Sequence, residues 1–127
     1  MIKRCKRLLA VRTRQHDLAH AAVVTAEVAH HAAQVAHTAA IDAVETMLVR
    51  AWETSALERG TATIEGERAR VLVSASVVAD AALVQRNAAF ARRRAEQALE
   101  RARAEAQAKA LKREQTEHDE RAARRRR

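Results

Sequence analysis

Apolar residues recur every three or four positions from Ile2 to Leu57, and no Gly or Pro interrupts them. That spacing predicts one long amphipathic helix over about 2–57. The next sustained break is Glu58-Arg59-Gly60-Thr61-Ala62-Thr63-Ile64-Glu65-Gly66. Gly60 suits a helix C-cap, and Thr61 or Thr63 suits the N-cap of a following helix. A second helix is expected over about 67–124. Helices joined by a short link return antiparallel. The expected fold is therefore all-α: a long antiparallel two-helix coiled-coil hairpin, with residues 1–127 as a single elongated unit and the bend at 58–66. A fold centred near Ala62 places Leu8 opposite roughly residue 116 and Trp52 opposite roughly Leu72, with both termini at one tip.

The seam is readable but irregular. Val11, Leu18 and Thr25 lie seven apart, as do Ala22, Ala29, Ala36 and Ala43. Val28 and Val35 form another set, and Ile41, Leu48 and Ser55 a third. In the second arm Val71 and Val78, Val77 and Val84, and Leu83 and Phe90 repeat by seven. The stripe drifts, so no single heptad is expected to last throughout. Between 21 and 49, and again between 71 and 91, apolar groups occupy more than one face. That width suits an additional partner surface.

Composition explains why the seam is thin. Thirty-two of the 127 residues are alanine, and the aromatic residues are Trp52 and Phe90 alone. Such side chains are too small to fill a thick globular core. Ala, Arg, Glu, Gln and Leu instead favour helix. Cys5 is the single cysteine, which rules out an internal disulfide and fits a reduced, cytoplasmic setting. The run Leu8-Leu9-Ala10-Val11 after basic residues starts like a signal peptide, but it stops at Arg12.

Charge divides the chain. Lys and Arg number 24, giving a formal net charge of +8, yet none lies between Gln15 and Val49. Thirteen fall between Arg92 and Arg127. This balance favours loose association with polyanions. The second arm, however, interleaves its positive charges with Glu and Asp, and no aromatic stacking platform or DNA-binding motif is present. No specific nucleic-acid partner is expected. Glu105 and Lys109, Glu117 and Arg121, and Glu120 and Arg124 are spaced i, i+4 in the favourable order, as on an exposed helix.

Catalytic patterns are absent: the chain has no Gly-rich phosphate loop, nucleophile elbow or His-Glu-x-x-His. A non-enzymatic protein without cofactor or metal is expected. His16, His20, His30, His31 and His37 cluster in the stretch free of Lys and Arg. His16 and His20, or Glu27 and His30, have ligand-like spacings. The facing arm offers only Asp80 to complete such a site, so these histidines read as flanks of the seam that make packing sensitive to pH. Trp52 reads as a packing residue near the bend, and His30, His37 and Trp52 mark a candidate second interface.

The opening Lys6-Arg7-Leu8-Leu9-Ala10-Val11-Arg12-Thr13-Arg14 resembles the start of the stalk proteins of bacterial type III export systems, the family of flagellar FliJ and its YscO-type injectisome relatives. The closing Glu117-His118-Asp119-Glu120-Arg121-Ala122-Ala123-Arg124-Arg125 is similar to their acidic-then-Arg ending. The resemblance implies a two-helix stalk that inserts into the hexameric export ATPase ring, couples it to the membrane export gate and meets export chaperones. It would touch the membrane only through such partners. By position, Arg7, Leu8, Leu9, Val11, Arg12 and Arg14, with Arg121, Arg124 and Arg125, would form the contact surface. This chain departs from the family in its Ala- and Val-rich first arm. The alternatives are a generic coiled-coil adaptor or structural protein and, further off, a nonspecific nucleic-acid-binding helical protein.

Overall fold

The computed structural model describes residues 1–50 and 54–126. Two helices account for them: α1 (Ile2–Arg50) and α2 (Thr54–Arg125), paired as an antiparallel hairpin with no strand among the described residues. The chain divides into two compact units. One holds Asp17–Asn87, and the other holds Met1–His16 with Ala88–Arg127.

In the unit Asp17–Asn87, Val44 meets Gly60, His30 meets Ser74 and His20 meets Gln85. Numbers fall along α1 as they rise along α2, which is the antiparallel sense. The covered positions of α1 include Ala19, Val23, Ala26, His30, Ala33, His37, Ala40 and Val44, spaced alternately four and three apart, with Ala36 and Ile41 covered beside them. Those of α2 follow the same rule through Gly60, Ile64, Glu67, Val71, Ser74, Val78, Ala81 and Gln85. Each helix thus keeps a strict heptad, contrary to the drifting stripe expected from its large apolar residues. The reason is composition: one position of each heptad is mostly Ala, Ser or Gly, so the larger side chains lie off the seam.

The other unit obeys the same spacing. Ile2, Cys5, Leu9, Arg12 and His16 of α1 are at least half-covered, as are Ala88, Arg92, Ala95, Leu99, Ala102 and Ala106 of α2. Its buried apolar residues are Ala95, Leu99 and Ala102. Met1, Ile2 and Lys3 share a groove with Ala102, Glu105, Ala106 and Lys109. His16 shares another with Arg92, Arg93 and Glu96. Leu8 is therefore level with a point between Glu96 and Ala102, not with residue 116.

The expected bend at 58–66 lies inside α2, and α1 ends at Arg50 rather than near residue 57. Neither glycine has a positive φ, so neither caps a helix. The hydroxyls of Thr61 and Thr63 donate back to the carbonyls of Leu57 and Arg59 at 2.8 and 2.9 Å. Within a helix Thr satisfies itself in this way, which removes the signature of an N-cap. Gly60 serves packing instead: a β-carbon there would sit 2.5 Å from Val44 Cγ2, whereas one on Gly66 would meet nothing within 4 Å. Trp52, expected near the bend, lies outside the described residues. Leu72, expected beneath it, is exposed.

Opposite outcomes follow for two similar substitutions. Gly66→Ala should raise stability by about 1 kcal/mol through helix propensity alone. Gly60→Ala should lower it by about 1–3 kcal/mol, because Val44 is β-branched and strongly prefers one rotamer in a helix, so it yields space only at a cost. Urea unfolding of both variants measures the difference, and Gly60→Ala with Val44→Ala should recover part of the loss.

Candidate functional site

The seam carries the chain's polar chemistry. His30 occupies a covered heptad position because it follows Val23 by seven residues, and α2 presents Ser74 to it. The two side chains bond at 2.8 Å between His30 Nδ1 and Ser74 Oγ. Ser74 also donates to the Val71 carbonyl at 2.9 Å, which uses its only proton. His30 must therefore donate from Nδ1–H, leaving Nε2 as the acceptor in the neutral ring. On the flank, Gln85 Nε2 donates to His20 Nδ1 at 2.7 Å, which assigns His20 the opposite tautomer.

One heptad beyond His30 is His37, half-buried; one heptad before Ser74 is Glu67. Arg70 Nη1 donates to Glu67 Oε1 at 3.0 Å, while Oε2 is buried with no hydrogen-bond partner among the described residues. In the other unit His16 lies beside Arg92, Arg93 and Glu96, and Arg92 Nε donates to Glu96 Oε1 at 3.0 Å. Three histidines are thus built into the seam itself rather than along its edges. The signal was present in their spacing, since His16, Val23, His30, His37 and Val44 are all seven apart. Glu27, which shares a Glu-x-x-His spacing with His30, is exposed. Among the described residues no group of three or more His, Cys, Asp or Glu could hold a metal ion.

The basic positions fall within the unit formed by Met1–His16 and Ala88–Arg127. Arg7, Leu8, Val11 and Arg14 are exposed; Leu9 and Arg12 are half-covered. Arg12 Nη1 donates to Gln15 Oε1 at 3.0 Å. Arg121 reaches Glu117 at 3.7 Å, and Arg124 and Arg125 occupy the last turn of α2, where positive charge complements the helix dipole. The two basic groups are not side by side. Because Met1–Lys3 pair with Ala102–Lys109, α2 runs on past the start of α1, and every residue from 107 to 121 is exposed. Among the described residues no helix is long and apolar enough to cross a membrane.

No protein-family model, curated protein or solved structure matches this chain.

The tautomers are directly observable. Nitrogen-15 spectra of the neutral protein should show His30 protonated at Nδ1 and His20 at Nε2. Ser74→Ala should release the His30 assignment and leave that of His20 in place; a shared tautomer in the native chain would contradict the hydrogen-bond arrangement.

Proposed function

We propose that the chain is a non-enzymatic helical adaptor whose α2 extension engages a protein partner. The observation that carries this reading is the exposure of residues 107–121, a stretch of helix that runs past the groove Met1–Lys3 share with Ala102–Lys109. A helix polar on all sides gains little from its own fold. Its i, i+4 pairs, such as Glu117 with Arg121, hold it helical in solution and present alternating charge to an acidic or mixed protein surface.

A second reading names the partner. The resemblance of both chain ends to export stalks, together with the gathering of the two basic segments into one unit, supports a stalk for a type III export apparatus. The hexameric export ATPase would receive this unit, the membrane export gate component would be reached through it, and export chaperones would be further clients. Arg121, Arg124 and Arg125 would then act at the end of an extended helix, with Arg7, Arg12 and Arg14 set back along the paired part. The protein would work in the cytoplasm. The gap between the two basic groups favours the general adaptor over a single insertion tip.

Removal of residues 107–127 separates structure from recognition. The melting temperature should move by less than about 5 °C, because, of residues 107–121, only Lys109 lines the groove with Met1–Lys3 among the described residues. Binding to purified export ATPase, and secretion in cells, should be lost if the stalk reading holds. Undiminished ATPase binding by the truncated chain sinks that reading, and unfolding of the truncated chain sinks both.

A further inference from the structure

The unit Asp17–Asn87 buries few apolar residues, most of them small, and leaves many of its larger apolar side chains exposed. Its buried apolar residues are Ala19, Val23 and Ala26, whereas Val24, Val28, Val35, Leu72, Val73, Val77, Leu83 and Val84 are 46–65% exposed. One flank forms an apolar groove of about 450 Å³, floored by Ala26, Ala29 and Ala33 and walled by Val73 and Val77. Among the described residues the one charged side chain lining it is Arg70, which is paired to Glu67.

We propose that this groove is where two copies of the chain pair, the valine ridge of each entering the alanine floor of the other. Self-complementarity points to a second copy. The floor continues along α1 as Ala29 and Ala36, the ridge along α2 as Val77 and Val84, and both repeat by seven residues. Hole and knob therefore have the same pitch on one molecule, as a self-complementary twofold interface needs. Charge permits the approach. No Lys or Arg lies between Gln15 and Val49 or between Val71 and Gln85, and Arg70 at the groove is paired to Glu67, so little unpaired positive charge opposes a second copy here.

Area supplies the drive. The chain exposes 10501 Å² at 14.1 kDa, where surface scaling gives roughly 6,700 Å² for a compact monomer. That difference includes the overhanging end of α2, but part of it is the exposed Val24, Val28, Val73, Val77 and Val84 of Asp17–Asn87, surface that a second copy would cover. This pairing uses faces of Asp17–Asn87 and is independent of what the α2 extension binds.

Sedimentation of the full chain tests the proposal. At about 100 µM and ordinary salt the native protein should sediment as a dimer of the 14.1 kDa chain. Ala29→Glu and Val77→Lys each place a charge in the groove from an exposed position and should weaken self-association by at least about 100-fold while keeping native helicity. Mixing the two variants should restore a dimer, since Glu of one copy then meets Lys of the other. The flank variant Gln34→Glu should stay dimeric. Should Ala29→Glu fail to fold, Val77→Lys alone carries the same comparison. A folded native monomer at that concentration, including one whose groove takes up a different protein, overturns the proposal. So does a dimer that persists in a folded groove variant.

Discussion

The distance of closest approach between two helices governs this protein. Gly60 accepts the methyl of Val44 where any side chain would collide with it. Ala26, Ala33, Ser74 and Ala81 continue the same lane of small residues in the unit around it. Close approach gains dispersion contact between backbones but buries little apolar area per residue. A conventional coiled coil puts Leu and Ile in the seam and lets charge cover the outside. Here one lane of the seam is mostly Ala, Ser or Gly, and many valines and leucines remain on the surface, in numbers that a lone hairpin has no use for.

That inversion accounts for what the sequence made legible and what it hid. The helical nature, the two arms and their antiparallel return could be read from the absence of proline and from periodicity. The register was misjudged: a fold centred near Ala62 sets His30 opposite roughly residue 94 and His20 opposite roughly residue 104, whereas they meet Ser74 and Gln85. The bend was misplaced because glycine was read through its conformational freedom. Gly60 is needed for want of a side chain, and its backbone is ordinary helix. The heptad escaped notice for a related reason. Following large apolar residues leads to Val11, Leu18, Val28 and Val35, all of them exposed, whereas the true seam runs through Ala and His.

The histidines show how local spacing and tertiary context divide the work. Spacing by seven put His16, His30 and His37 on the covered face of α1. What each does depends on α2, which no spacing within α1 reveals. Ser74 accepts from His30, while Arg92, Arg93 and Glu96 surround His16. Of the basic residues, charge and position along the helix were readable, but the partition into a paired group and an overhanging one followed only from the register.

An alanine lane is nearly blind to sliding by one heptad, since methyl would still face methyl. In Asp17–Asn87 the exceptions set the register. Sliding one way would press Val44 against the buried carboxylate of Glu67 and turn His30 toward Ala81, where no hydroxyl waits. Sliding the other way would bring the ring of His37 onto Gly60 and break the bond of His20 to Gln85. The few polar and irregular pairs act as the teeth of a ratchet on an otherwise smooth rail. They give a uniform seam one alignment in preference to its neighbours seven residues away.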